Sequence, residues 1–221
     1  MNIQSLYKQG EQTLLLNGEV GSLEAILQCP KVSNLKYLAL LGHPHSLYGG
    51  TMQNKVVTTL ARAFQTLGIP SLRFNFRGVE QSQGVYDAGI GESEDMLRLM
   101  KTFQEAKPDL KFILAGFSFG SYVTFRAAAL AKESIQGLIS VAPAVQHYSF
   151  EEFEGLSFPW VVIQGEEDDT ALPEAVYEWH AKLKPSPQLI KMPETGHFFH
   201  SRLGDLTTHL LEVIPKFLES A

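Results

Sequence analysis

The chain has 221 residues, a formal net charge of −6 and 44% hydrophobic residues, which indicates a globular protein with a sizeable core. The negative charge argues against nucleic acid or an anionic membrane as the main partner. The one cysteine, Cys29, excludes an internal disulfide and suits a reducing compartment. No segment resembles a signal peptide or a membrane span, so we expect a cytoplasmic protein with a single domain over residues 1–221.

The predicted elements start with a hairpin and continue as alternating strands and helices. The Asn17-Gly18 turn joins apolar runs at 14–16 and 23–27, which indicates an antiparallel hairpin. Further strands are predicted at 37–41, 71–76, 111–115, 135–141, 160–164 and 187–192. Helices are predicted at 54–67, 92–106, 121–131, 173–183 and 204–219. The alternation predicts an α/β fold, with a mostly parallel central sheet and helices on both faces.

One connection between strands is informative because it is short. Fewer than twenty residues separate the strand at 135–141 from the strand at 160–164. A helical cap over the sheet does not fit in that length. We therefore expect no cap domain and an open active site shaped by short loops.

The pentapeptide 116–120 reads Gly-Phe-Ser-Phe-Gly, a G-x-S-x-G pattern between a predicted buried strand and a predicted helix. A serine on a sharp strand-to-helix turn is presented as a nucleophile. The glycines permit the turn because backbone passes close to backbone there. Ser118 is therefore the predicted nucleophile.

A serine hydroxyl needs a base to take its proton and an acid to orient that base. The acid is expected after the strand at 160–164, where four adjacent carboxylates occur, and Asp168 is preferred over Asp169 because it lies three positions after Gly165. The base is expected after the last strand, where His197 directly follows the strand and His200 is read as structural or as part of the rim. The resulting chain order is Ser, Asp, His. No further ligands stand near the two histidines, so no metal site is expected.

The loop after the strand at 37–41 is the predicted source of one oxyanion donor. The other donor is the backbone N–H of Phe119, directly after the nucleophile. Pro44 has no N–H, so His45 is the favoured donor in the loop, with Ser46 behind it.

Several side chains are candidates for the substrate pocket. The aromatic candidates are Tyr48, Phe117 and Phe198. Arg77, at a strand end, could bind an anionic substrate group. A structural ion pair of Arg77 with Asp87, Glu92 or Asp95 is the favoured alternative.

These motifs, spread over nearly the full length beyond the first hairpin, resemble those of small, capless bacterial α/β-hydrolases related to the dienelactone hydrolase group. The segments that carry the resemblance lie at 42–52, 73–79, 116–120, 164–168 and 196–200. The resemblance implies the α/β-hydrolase fold, a Ser118–Asp168–His197 triad and no cofactor. Glu80 departs from it because relatives carry glycine there, and this puts the geometry of that loop in question if the glycine uses positive φ. Dienelactone hydrolases proper use cysteine as nucleophile, so their substrate is not carried over.

The sequence therefore predicts a serine hydrolase acting on small carboxylic esters. A peptidase or amidase could use the same triad, and a non-catalytic binding module could use the same fold. The expected partner is a small-molecule ester, with no nucleic acid and no membrane. Oligomeric state stays open, with a homodimer as one option.

Overall fold

The computed structural model describes residues 8–150 and 156–219. Within them one mixed sheet contains eight strands in the order β1-β2-β4-β3-β5-β6-β7-β8. Their bounds are Gly10–Asn17 (β1), Ser22–Cys29 (β2), Tyr37–Gly42 (β3), Ser71–Phe74 (β4), Lys111–Phe117 (β5), Ile135–Val141 (β6), Trp160–Gly165 (β7) and Gln188–Met192 (β8). Strand β2 pairs antiparallel with both β1 and β4, whereas β4, β3, β5, β6, β7 and β8 run parallel. The predicted fold class is confirmed.

Helices cover both faces of the sheet. Their bounds are Lys55–Thr66 (α1), Ile90–Ala106 (α2), Phe119–Leu130 (α3), Pro173–Lys182 (α4) and Leu203–Glu219 (α5). Side chains of α1 and α5 pack in one hydrophobic cluster, and side chains of α2, α3 and α4 pack in the other. This two-sided burial explains why β3 and β5 to β7 read as continuous apolar runs. Among the described helices, none has both the length and the apolar character needed to cross a bilayer.

Two predicted strands end or begin at other residues: β1 begins at Gly10, four residues before the predicted run, and β4 ends early, near the site. Strand β4 was expected to continue to residue 76, but it ends at Phe74. The N–H of Phe76 donates to Nε2 of His43 at 2.9 Å, so the chain leaves the sheet there. A strand pattern cannot show this, because the acceptor is a side chain more than thirty positions away.

The connection between β6 and β7, at the C-terminal edge of the parallel strands, is short. Its described parts, 142–150 and 156–159, contain no helix. Loops that follow β3, β4, β5, β6, β7 and β8 meet at this edge, which is where open α/β sheets bind ligands.

Candidate active site

Ser118 occupies the sharp turn between β5 and α3. Its φ of 55° lies in the left-handed region, which is strained for a residue with a side chain. The Ser118 N–H donates to Val141 O at 2.9 Å. A Cβ on Gly116 would lie 2.1 Å from Gly120 O, and a Cβ on Gly120 would lie 2.4 Å from backbone atoms of Gly42. Glycine is therefore required on both sides of the turn.

The predicted serine, acid and histidine lie in hydrogen-bond contact. Nε2 of His197 is 3.1 Å from Oγ of Ser118. Nδ1 of His197 is 2.9 Å from Oδ2 and 3.1 Å from Oδ1 of Asp168. An Asp168 carboxylate accepts from Nδ1–H, so the Nε2 lone pair faces the serine hydroxyl.

Asp168 turns inward while its acidic neighbours face solvent. It is 3% exposed, and Oδ1 accepts from the N–H groups of Thr170 at 2.9 Å and Ala171 at 2.7 Å. Nε2 of Gln164 lies 3.2 Å from Oδ2. Asp169 is exposed and contacts the Thr170 hydroxyl, so the structure brings Asp168 and not Asp169 to the histidine.

The loops that carry the acid and the histidine are bound to each other. The Glu166 N–H donates to Met192 O at 2.9 Å, and the Glu167 N–H donates to Thr195 O at 3.0 Å. A Cβ on Gly165 would lie 2.2 Å from Thr195 O, so the two backbones pack closely. This contact fixes the separation between the acid and the base.

The two predicted oxyanion donors are both free. Within the described residues, neither the Phe119 N–H nor the His45 N–H has a protein acceptor. Phe119 begins α3, so its N–H also lies at the positive end of the helix dipole.

Two buried polar side chains hold the loop after β3. Nδ1–H of His43 donates to Pro44 O and Nε2 accepts from Phe76 N–H, so the imidazole is neutral. Burial lowers its pKa to about 4. Oδ1 of Asn75 accepts from Met52 N–H at 2.9 Å on the far side of the loop.

The structure does not place Arg77 in the pocket. Its side chain is buried, and Nε donates to Oδ2 of Asp95 at 2.7 Å. Oδ1 of Asp95 accepts from Glu19 N–H at 2.8 Å, so the pair ties the β1–β2 turn to α2. The alternative of a structural ion pair is the one observed, with Asp95 as partner.

The aromatic pocket candidates separate into core and rim. Phe117 is fully buried and packs 5.0 Å from the His197 ring, so it supports the imidazole rather than lining an open cleft. Phe198 is 44% exposed and meets His197 edge-on at 5.1 Å. Tyr48 is exposed, and its ring lies 4.7 Å from that of His45 at an angle of 56°; His200 is exposed as well. Across 8–150 and 156–219, no three His, Cys, Asp or Glu residues are grouped as a metal site.

Sequence reasoning missed three residues at this edge. Gln164 contacts the acid, and Tyr86 and Tyr148 surround His45. Gln164 directly precedes the glycine of the acid loop, which is a usable signal. The tyrosines lie in irregular loops, where no pattern indicated their direction.

Comparisons with known proteins identify the family of this chain. Residues 42–158 match the family described as the alpha/beta hydrolase fold, so the chain belongs to that family. A solved lidless a/b serine hydrolase of Xanthomonas campestris is 41% identical, with 96% of each chain covered and a TM-score of 0.89. An alpha-beta serine hydrolase homologue of Coxiella burnetii is 38% identical, covering 94% of this chain and 99% of that chain, with a TM-score of 0.88. An uncharacterized protein of Rickettsia prowazekii is 30% identical, covering 88% of this chain and 84% of its own length.

Proposed function

We propose that this protein is a serine hydrolase that cleaves small carboxylic esters without a cofactor. Ser118 is the nucleophile, His197 the general base and Asp168 the orienting acid. The observation that carries the proposal is the His197 imidazole, which contacts Ser118 Oγ at 3.1 Å and Asp168 Oδ2 at 2.9 Å. In this order of contacts the imidazole can take the serine proton while the acid holds the imidazole in place.

Acylation begins when Nε2 of His197 takes the proton of Ser118. The Oγ–carbon bond forms, and the ester carbonyl becomes an oxyanion that accepts from the N–H groups of Phe119 and His45. The carbon–oxygen bond to the alcohol then breaks, and the alcohol takes the proton from His197. Asp168 keeps the proton on Nδ1 and stabilises the imidazolium that forms meanwhile.

Deacylation repeats these steps with water. His197 removes a proton from water, the hydroxide attacks the acyl carbon, and Ser118 leaves with the proton that returns from Nε2. Ser118 is 8% exposed, and the proposal requires that water and small substrates reach its hydroxyl beside the short connection between β6 and β7.

The proposal is tested with a fluorophosphonate probe and with p-nitrophenyl esters of rising chain length beside aminoacyl anilides. The wild type is expected to be labelled and to hydrolyse the esters. Ser118→Ala and His197→Ala should do neither. The matched control is Ser186→Ala, which removes an exposed serine hydroxyl before β8 and should behave as wild type.

An unlabelled wild type that hydrolyses nothing would overturn the proposal. Labelling combined with cleavage of the anilides alone would replace the esterase assignment with a peptidase or amidase.

A further inference from the structure

An aromatic cluster of His45, Tyr86 and Tyr148 lies beside the nucleophile, above the buried ring of Phe119. The three rings are 5.1, 5.6 and 5.2 Å from the Phe119 ring, and Phe119 directly follows Ser118. The three residues come from the loops after β3, β4 and β6. Because β4, β3, β5 and β6 are consecutive parallel strands, these loops flank the nucleophile turn that follows β5.

The hydrogen bonds of the cluster fix the tautomer of His45. Nδ1 accepts from the N–H of Leu47 at 3.2 Å, so the ring proton is on Nε2. Burial, with a contribution from His147, lowers the pKa of His45, which keeps the ring neutral. Nε2–H therefore donates to the hydroxyl oxygen of Tyr86 at 3.1 Å.

The cluster has one more hydrogen-bond donor than its internal hydrogen bonds use. The hydroxyls of Tyr86 and Tyr148 share a single contact at 3.1 Å, and either can be its donor. Together with Nε2–H of His45 the cluster has three donors and two internal hydrogen bonds. In the part of the chain that the structure describes, neither hydroxyl has another protein partner, and both residues are partly exposed.

The charges beside the cluster disfavour an anionic ligand. Burial is the main cause that raises the pKa of Tyr148, and the nearby Glu92 adds to it, so this hydroxyl keeps its proton. One guanidinium, that of Arg77, faces the carboxyls of Asp95, Glu92 and Asp87. Glu92 repels an anion at Tyr148. The charge of Arg77 is already paired with Asp95, so a neutral acceptor is preferred over a carboxylate or phosphate.

We propose that Tyr86 and Tyr148 form a substrate subsite that binds a neutral acceptor oxygen, an ether, carbonyl or hydroxyl, on an aromatic part of the ester. The aromatic faces of the cluster pack against the ring of the substrate, and the spare hydroxyl proton is donated to its oxygen. This inference rests on the proposed esterase function, and it names the class of ester that the same site prefers.

The test compares esters in which a methoxy group replaces an ethyl group of nearly equal size. One series varies the acyl side, as p-nitrophenyl esters of meta- and para-substituted phenylpropanoic acids, whose alkyl chain insulates the carbonyl electronically. The other series varies the alcohol side, as acetates of the corresponding benzyl alcohols, with acid release followed by titration. Values of kcat/KM are measured for the wild type, Tyr86→Phe, Tyr148→Phe and the double variant.

The wild type is expected to prefer the methoxy ester about three- to tenfold in one series, the effect of one hydrogen bond. The double variant should lose that preference, so that its kcat/KM values for the methoxy and ethyl esters become equal. Of the single variants, the one that removes the donating hydroxyl should lower the ratio more. The control is Tyr37→Phe, which removes a tyrosine hydroxyl at the opposite end of β3 and should keep the wild-type ratio.

Equal rates for the methoxy and ethyl esters in both series, or a preference that survives in the double variant, would overturn the subsite. Labelling of Ser118 by the fluorophosphonate probe reports whether each variant keeps a folded site. If the double variant is not labelled, the single variants are compared instead. A methoxy-to-ethyl ratio of kcat/KM that is unchanged in both of them overturns the subsite. A wild type that is neither labelled nor active refutes the hydrolase itself, whereas an active enzyme without discrimination refutes this inference alone.

Discussion

The side-chain amide nitrogen of Gln164 lies 3.2 Å from Oδ2 of Asp168, at the end of β7. The same nitrogen is 2.9 Å from Ala171 O and 3.1 Å from Gly165 O, so the amide is held on both sides. We therefore expect Gln164 to act on the histidine through the acid, as a positioning residue for the carboxylate.

Replacing this amide tests that role. Gln164→Leu removes the donor but keeps the approximate volume, and the Oε1 atom that it also removes has no partner in the described residues. We expect kcat on a p-nitrophenyl ester to fall about tenfold with KM little changed, because the acid is less well oriented. The exposed Gln188→Leu is the control. A normal kcat in Gln164→Leu would contradict the positioning role.

The two adjacent aspartates are expected to differ sharply. Asp168→Asn should lower kcat about 10⁴-fold, because the neutral amide no longer holds the proton on Nδ1 of His197. Asp169→Asn should keep at least about half of the activity, because that carboxylate is exposed and away from the imidazole. Steady-state kinetics on one ester decides, and similar losses in both variants would argue against Asp168 as the acid.

The close backbone contact at the nucleophile turn predicts a steric effect on stability. Gly120→Ala should lower the free energy of unfolding by about 3 kcal/mol, because the new methyl group meets the backbone of Gly42. Gly204→Ala, in α5, meets no atom within 4 Å and should raise stability by up to about 1 kcal/mol. Urea unfolding measures both changes, and equal stabilities would show that the turn relaxes.

The backbone of Glu80 is strained, as expected for a residue at a position where the resembling proteins carry glycine. Its φ is 49°, in the left-handed region. Glu80→Gly should therefore raise the free energy of unfolding by about 0.5–1 kcal/mol, since relief of strain exceeds the entropy cost of glycine. The same change at the exposed helical Glu94 should cost about 1 kcal/mol. Thermal or urea unfolding measures both changes, and destabilisation of both variants would refute the backbone strain at Glu80.

The buried imidazole of His43 predicts a loss of stability in acid. Its pKa is lowered to about 4, whereas an unfolded histidine titrates near 6.5, so the unfolded state binds the extra proton first. The contribution of the neutral, buried imidazole to the free energy of unfolding is fully present above pH ~6.5. It declines as the pH falls toward about 4, by about 3 kcal/mol at most.

The variant His43→Leu isolates that contribution. It should be less stable than wild type at pH ~7, but the difference should narrow as the pH falls from about 6.5 to about 4. His200→Asn, at an exposed histidine, should keep the wild-type slope. Urea unfolding at several pH values measures the slopes, and parallel curves for wild type and His43→Leu would exclude this role.

The sequence alone was sufficient for the fold and for the order of the candidate residues. Apolar runs predicted the strands of the sheet, and helical spacing predicted α1 to α5, with most boundaries within two residues. These signals are local, because the spacing of apolar residues within a strand or helix shows which of its faces is buried. The G-x-S-x-G pattern is also read within five residues, although the structural reason for Gly120 is its approach to the distant backbone of Gly42.

Tertiary structure decided what the loop side chains do. The choice of Asp168 over Asp169 depends on N–H groups of its own loop and on a histidine 29 positions away. Arg77 is directed to Asp95 by packing against α2, and His45, 41 positions from Tyr86, meets it between two loops. The direction of a side chain in an irregular loop is set by hydrogen bonds to distant segments, so no periodic pattern in the sequence contains it.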